Sequence, residues 1–446
     1  MTELYQLSAV ESLRRLHAGE TSALELAQAL LARVDEVDSD VQAWAYLDRA
    51  GLLEQAESAD ARRARGVPAG ALSGLPVGIK DIIDTRMMPT EDGTPLHAGR
   101  VPHQDAALVR QLKRAGALVM GKTVTTELAA YAPGKTRNPH NFSHTPGGSS
   151  SGSAAAVAAG MVAVAVGTQT NGSVIRPAAF CGVVGFKPSF GLIARTGVLR
   201  QSPVLDQIGV FGRSVEDVAL LAQVLAGDDD GDPSTRVQPA PPLLRIAGED
   251  PPLPPRLAFV RTPFWSRMDA DAQAAFEELV DFLGERISEV ALPAQAEAAV
   301  DWHRTIMEAD IAVSFHEDYE RGAAQLSDSL RGQIERGRLI RAVDYRQAVE
   351  RIPTLRAHFD EMLGEYDAIL TPAALGTAPT GLDSTGDPVM CTLWTLTGMP
   401  AISLPLLHGE NGLPLGVQLV GRLDDDARLL RCANWLQRTV AQASTQ

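Results

Sequence analysis

Cysteine is scarce in this chain: Cys181, Cys391 and Cys432 are the only three in 446 residues, and they lie far apart. An odd, scattered trio does not build a disulfide scaffold and suits a reducing compartment. Net positive charge is also missing. The formal charge is -15 and the isoelectric point is near 5.1, which excludes the basic stripe that nucleic-acid binding requires. The N-terminus has no basic segment followed by an apolar one, so no secretory signal is expected and a cytoplasmic location is. The longest apolar run, Ala154 to Val166, is interrupted by Gly160. It falls short of the ~18 residues needed to span a bilayer and reads as buried core. No HExxH, no Cys-x-x-Cys and no Gly-x-Ser-x-Gly is present. His140 and His144 share an x3 spacing but sit in a loop between Pro139 and Pro146, so neither a metal site nor a Ser–His–Asp hydrolase is expected.

Lysine is rare as well. It occurs only at Lys80, Lys113, Lys122, Lys135 and Lys187, and arginine supplies the rest of the positive charge. A base that must give up its proton near neutral pH can be lysine but not arginine. Each lysine is therefore a candidate in a chain that otherwise prefers guanidinium.

What is present is an alternation of helix and strand signals. Ser8-Ala-Val-Glu11 and Ser22-Ala-Leu-Glu25 are capping-box patterns ahead of apolar periodicity, and they predict a helical layer over residues 1–65. Leu75–Lys80 reads as a short buried strand ending on a lysine. A helix over 105–115 stops at Gly116, and a strand begins at Ala117. Apolar runs without period-two alternation indicate a sheet covered on both faces. Residues 228–256 concentrate aspartate and proline and read as a linker. Residues 300–365 read as a flank or lid of charged helices, and residues 366–446 return to strand and helix. A single α/β domain over 1–446 is expected, with 66–227 as its catalytic core.

Gly116-Ala-Leu-Val-Met-Gly-Lys122-Thr123 fits a phosphate-loop pattern in letters only. A helix precedes it, and its variable positions are an apolar strand that a phosphate cradle could not expose. The segment from Gly147 to Ser173 is more informative. It reads Gly-Gly-Ser149-Ser-Ser-Gly-Ser, then an Ala-rich helix former, an apolar strand and Gly-Thr-Gln-Thr-Asn-Gly-Ser173. A flexible linker would not lead twice into apolar elements. Small residues here let backbone amides come close to a ligand.

These blocks, together with Gly78-Ile-Lys80-Asp, Cys181-Gly-Val-Val-Gly-Phe-Lys-Pro188 and the tail Gly412-Leu-Pro-Leu-Gly-Val-Gln-Leu-Val-Gly-Arg422, resemble the amidase signature family over nearly the whole chain. Within it, Lys80-Asp-Ile-Ile-Asp-Thr, Ser384-Thr-Gly-Asp-Pro and an arginine three residues after Ser173 resemble malonamidase, a pattern shared with carbamate- and aryl-acylamide-cleaving members. The resemblance implies a large central mixed β-sheet with helices on both faces. It also implies a catalytic set of Lys80 as base, Ser149 as bridging serine after a cis peptide, and Ser173 as nucleophile. Backbone N–H groups of Thr170, Asn171, Gly172 and Ser173 are the implied oxyanion donors, with Arg176, Gly148 and Gln169 beside the substrate. Asn171 departs from the family's usual glycine.

No metal or cofactor is expected. The expected ligand is a small amide or carbamate, with no nucleic acid or membrane partner and a homodimer as the candidate assembly. Three functional readings stay open. One is an amidohydrolase of small amides, extending to carbamates and esters. Another is an amidotransferase subunit passing ammonia from glutamine to a partner. The third is a half-amide hydrolase in which Arg176 clamps a carboxylate, against the alternative that Arg176 pairs with loop carbonyls or Asp206.

Overall fold

The computed structural model describes residues 3–443. Eleven strands form one mixed sheet: β1 (Trp44–Leu47), β2 (Pro76–Lys80), β3 (Leu118–Thr123), β4 (Val164–Gln169), β5 (Val184–Lys187), β6 (Gln207–Gly212), β7 (Leu257–Phe259), β8 (Ile287–Glu289), β9 (Ala368–Pro372), β10 (Ala401–His408) and β11 (Pro414–Val420). Their order is β1-β3-β2-β4-β6-β5-β10-β11-β9-β7-β8. Every residue of β2 through β6 is buried, which is why these segments lack alternation: helices cover both faces.

The sheet places the site through one register. β2 runs parallel to β4, with Ile79 opposite Val166. Lys80 therefore ends its strand beside the segment that leads into Thr168 and the following loop. Gly78 permits this packing, because a Cβ there would sit 3.2 Å from Thr123 and 3.4 Å from Ala165.

The N-terminal layer follows the capping signals. Ser22 and Glu25 close a reciprocal capping box at the head of the Ala23–Val41 helix, and Ser8 caps the Ala9–Ala18 helix. The layer also holds β1, which the sequence does not signal. This four-residue strand pairs antiparallel with β3, and a piece that short carries no periodicity of its own. Residues 228–256 also differ from a plain linker. They include a short helix, Leu243–Gly248, and are tied down by ion pairs of Asp229 with Arg110 (2.8 Å) and Asp232 with Arg195 (2.9 Å).

The charged flank comprises the helices Gln295–Ser314, His316–Gly322, Asp328–Gly337 and Ala342–Glu365. Its apolar faces form a second core with the body of the protein. Phe359 meets Trp394 there, at a ring-centroid distance of 5.1 Å.

Candidate active site

Lys80, Lys122 and Lys187 are all fully buried, and their surroundings separate them chemically. Lys187 Nζ donates to the carbonyls of Met399 (2.6 Å) and Pro188 (3.1 Å) and to Gln207 Oε1 (2.6 Å). Lys122 Nζ, in β3 rather than in a phosphate loop, donates to Ile83 O and to Thr90 Oγ1, both at 2.6 Å, with Asp81 at 3.8 Å. Carbonyl oxygens only accept, so both sites favour an ammonium. Lys80 differs. Its Nζ lies 2.7 Å from Ser149 Oγ and 2.8 Å from Thr168 Oγ1. Both partners are hydroxyls, which can donate as well as accept. Burial lowers the pKa of all three, Lys122 to about 8, Lys187 to about 7 and Lys80 well below its ordinary value against a weaker opposing pull from Asp206, so the bonding partners and not burial set Lys80 apart. It is the lysine whose surroundings accommodate a neutral amine.

Ser149 follows a cis Gly148–Ser149 peptide. The turn before it is tight: Gly147 has φ +81°, and a Cβ there would fall 2.8 Å from Pro177 Cα. Immediately afterwards the chain enters the Ser151–Ala158 helix. Ser150 joins the two serine loops. Its Oγ donates to Thr168 O (3.1 Å) and accepts from Thr168 N (3.2 Å), and its N–H reaches Ser173 O at 3.4 Å.

Ser173 is 8% exposed. Among the described residues its hydroxyl has no hydrogen-bond partner. The structure thus brings Lys80 and Ser149 into direct contact and ties the Ser173 backbone to Ser150, the neighbour of Ser149. No hydrogen bond joins the Ser149 and Ser173 hydroxyls; catalytic bonds of this kind often tighten only in the substrate complex.

The loop over Thr170–Ser173 is held from every side. Thr170 Oγ1 donates to Asp206 (2.6 Å), and Thr170 O accepts from His303 Nε2 (2.9 Å). Asn171 Nδ2 donates to Tyr131 Oη (3.1 Å), Thr392 Oγ1 donates to Asn171 Oδ1 (2.8 Å), and Thr395 Oγ1 donates to Asn171 O. The backbone N–H groups of Asn171, Gly172 and Ser173 donate to no acceptor among the described residues, so they are free for a ligand oxygen. Gly172 is required where it stands: a Cβ there would lie 2.9 Å from Arg176 Nη1 and 3.0 Å from Pro388 Cβ. Asn171 is not among the residues with positive φ. It replaces a glycine without needing left-handed backbone, and its side chain braces the loop.

Two residues expected beside the substrate, Gln169 and Arg176, make several bonds within the fold. Gln169 is completely buried. Its Oε1 accepts from Val174 N (2.8 Å) and Ile175 N (3.0 Å), and its Nε2 donates to Thr395 Oγ1 (2.9 Å). It caps the Ile175–Cys181 helix. Arg176 donates through Nε to Thr385 O (2.7 Å) and through Nη2 to Gly148 O (2.8 Å) and Thr385 Oγ1 (3.1 Å), and not to Asp206. Its Nη1 alone is left without a partner. Gly148 is in turn crowded, a Cβ there meeting Thr385 at 2.7 Å.

Sequence reasoning misses Thr168, His303, Tyr131 and Thr392 as site residues, and it points to Asp206 only as a partner for Arg176. Thr168 lies inside the Gly167–Ser173 block, but the others belong to no short motif. They arrive from β4 and from elements more than 30 residues away, and nothing in a single chain marks them in advance. Burial pushes the Asp206 carboxyl up to about 6 and the His303 imidazole down to about 4.

Two cavities flank the loop. One, of about 440 Å³, touches Thr168, Thr170, Asp206 and Gln207 and is walled by Arg195 and Asp232. The other, of about 300 Å³, touches Asn171 and Tyr131 and is roofed by the helical flank. No cluster of three or more metal-ligating side chains occurs among the described residues. His140 meets the Cys181 carbonyl at 2.9 Å, and His144 meets Thr380 Oγ1 at 3.1 Å. Nor is any described helix long and apolar enough to cross a membrane.

The family model for Amidase matches residues 25–430. The chain is 36% identical over 479 positions to the A subunit of glutamyl-tRNA(Gln) amidotransferase from Roseiflexus castenholzii, covering 98% of this chain and 96% of that one. It is 35% identical to the protein of the same name from Symbiobacterium thermophilum, covering 98% and 97%. Among solved structures, native peptide amidase from Stenotrophomonas maltophilia superposes with a TM-score of 0.85 at 28% identity, covering 97% of each chain. A chain from a vestigial protein complex bearing on the origins of an s-triazine catabolic enzyme reaches a TM-score of 0.91 at 27% identity, covering 97% of this chain and 98% of that one.

Proposed function

The chain belongs to the Amidase family, and from that premise we propose that it is a serine amidohydrolase of small amides and carbamates that works through an acyl-enzyme on Ser173. The observation that carries this reading is the lone amine of Lys80, buried and bonded only to two hydroxyls. Neutral Lys80 accepts the Ser149 proton as Ser149 accepts the proton of Ser173. The Ser173 hydroxyl turns toward Ser149 once a substrate fills the site, and its oxygen attacks the scissile carbonyl carbon. The resulting anion lies against the free N–H groups of the loop, each worth roughly 3 kcal/mol in such sites. When the C–N bond breaks, the lysine proton returns through Ser149 to the leaving nitrogen. Water then attacks the ester, losing its proton along the same path, and releases the acid and free Ser173.

The similarity to the amidotransferase proteins supports a second reading, in which the same chemistry releases ammonia from glutamine for a partner. The decisive experiment uses the purified chain alone with acyl anilides, carbamates, malonamate and glutamine. Steady turnover of an anilide or carbamate without a partner is expected, and it is expected to vanish in Ser173→Ala and Lys80→Ala. Turnover of glutamine alone, and only when partner subunits are added, would favour the second reading. Near-normal rates in Ser173→Ala would refute both.

A further inference from the structure

The helical flank meets the body of the protein at a histidine held between two carboxylates. His97 closes the turn Pro95–His97 on the body. Its Nδ1 lies 2.8 Å from Asp92 Oδ2, and its Nε2 lies 2.9 Å from Asp318 Oδ1, on the His316–Gly322 helix of the flank. Asp92 is 2% exposed. A carboxylate oxygen only accepts, so the two bonds need two protons, and a neutral imidazole carries one. The bridge is therefore complete only while one further proton is bound. Other charges surround it without replacing it. On the body, Arg100 pairs with Asp84 (2.8 Å) and stands 3.9 Å from Asp92, while Lys122 and Asp81, both buried, interact with Asp92 at longer range. On the flank, Arg321 donates to the same Asp318 oxygen (2.7 Å). The carboxylates, Asp92 foremost, raise the His97 pKa above its ordinary 6.5 against the opposing effect of burial. Their hold on the flank is thus full below pH 6.5 and is lost as pH rises through the raised value.

The body side of this bridge leads to the catalytic loop. Asp92 N–H donates to the carbonyl of Asp81, the neighbour of Lys80 (3.0 Å), and Asp92 O accepts from Leu128 N–H (2.8 Å). Leu128 and the following Ala129 have φ +45° and +56°, a left-handed backbone that neither side chain favours and that surrounding contacts must hold. Two residues before Leu128, Thr126 N–H donates to Ser149 O (3.2 Å). One more tie joins this loop to the flank: both Glu127 carboxylate oxygens accept from Ser327 N–H (3.1 and 3.2 Å), at the head of the Asp328–Gly337 helix. That tie needs no added proton, because the amide supplies its own. We propose that His97 is a positioning residue: bonded at both ring nitrogens, it latches the His316–Gly322 helix to Asp92 and so braces the loop that holds Ser149, and loss of its extra proton opens the latch while Glu127 keeps the next helix in place. The proposal rests on the acyl-enzyme reading for its effect on rate, but not for the latch itself.

The test compares wild type, Asp318→Asn and His97→Leu as full chains. In Asp318→Asn the carboxamide N–H can donate to Nε2 while Nδ1–H donates to Asp92, so a neutral ring completes both bonds. Backbone hydrogen exchange is followed by mass spectrometry at pH 6 and pH 9, each rate divided by the intrinsic rate at that pH. In wild type, exchange over residues 316–325 is expected to rise about tenfold at pH 9, as for loss of one hydrogen bond to a charged group. Residues 126–131 are expected to follow, and residues 328–337 to stay level. The rise is expected to disappear in Asp318→Asn, and His97→Leu is expected to exchange fast at both pH values. With an anilide substrate, wild-type kcat is expected to fall several-fold, on the order of 3, between pH 7 and pH 9 at steady KM, and Asp318→Asn is expected to lack this alkaline limb. Exchange over 316–325 that ignores pH in wild type, or that rises equally in Asp318→Asn, overturns the latch. An equal rise over 328–337 would mean that the whole flank opens and overturns it too. A pH-dependent 316–325 with 126–131 unmoved, or an alkaline limb that persists in Asp318→Asn, overturns the positioning role. Absent turnover with the exchange pattern intact would remove the hydrolase reading and leave the latch standing.

Discussion

Replacing Thr168 by valine keeps the shape of the side chain and deletes one of the two hydroxyls on Lys80. Thr168 Oγ1 stands 2.8 Å from Nζ, while the Thr168 backbone stays anchored to Ser150 through both its N–H and its carbonyl. The lost bond is not equal in the two charge states. An ammonium donating to a hydroxyl gains ~1.5–3 kcal/mol, and a neutral amine in the same place gains ~0.5–1.5 kcal/mol. The difference, roughly 1–1.5 kcal/mol, favours the protonated lysine and corresponds to about one pH unit. Removing it makes Lys80 easier to deprotonate. The acid limb of the kcat/KM profile, along which the base forms, is therefore expected to move to lower pH by about one unit. The plateau is expected to fall less than tenfold as the amine loses orientation. The assay is the initial rate of aniline release between pH 4 and 10 for wild type and Thr168→Val. An acid limb that stays in place, or moves to higher pH, would refute the claim that a neutral Lys80 drives the reaction.

Three further outcomes are expected. The His303 imidazole is held at about 4 against an ordinary 6.5, so the unfolded chain binds its proton first. This contribution is fully present above pH 6.5 and is lost as pH falls toward 4, in total about 3 kcal/mol at 1.36 kcal/mol per pH unit. In His303→Gln, which can still donate to the Thr170 carbonyl, the stability difference from wild type should shift toward the variant over this window in urea titrations, and parallel curves would contradict the assignment. Arg176→Met strips donors from the buried carbonyls of Gly148 and Thr385 and should cost on the order of 3 kcal/mol in unfolding free energy. Unchanged stability with a raised KM for malonamate alone would instead identify a substrate clamp. Asn171→Gly removes the braces to Tyr131 and Thr392; kcat is expected to drop about tenfold, because the N–H groups lose preorganisation, while bulkier acyl groups become accepted. An unaltered kcat would show that the brace is dispensable.

Local chemistry makes much of this protein legible in its sequence. Ser22 and Glu25 announce a helix start because their side chains satisfy the first amides of that same helix. Gly116 announces a stop because its φ of +85° suits a residue without Cβ. The unbroken apolar runs announce a sheet buried on both faces. The candidate triad is legible through resemblance of short motifs, and the rarity of lysine narrows the base to a few positions.

Tertiary packing alone decided the rest. Lys80, Lys122 and Lys187 are the same residue type and equally buried; only the neighbours folded around them separate a base from structural cations, hydroxyls alone at Lys80 and at least one carbonyl oxygen at each of the others. Gln169 shows the same dependence: it is consumed capping a helix, because folding brings partners to both polar atoms of its side chain. A sequence specifies which groups are available. Which of them remain unsatisfied, and so free to act on a substrate, depends on the distances that folding sets.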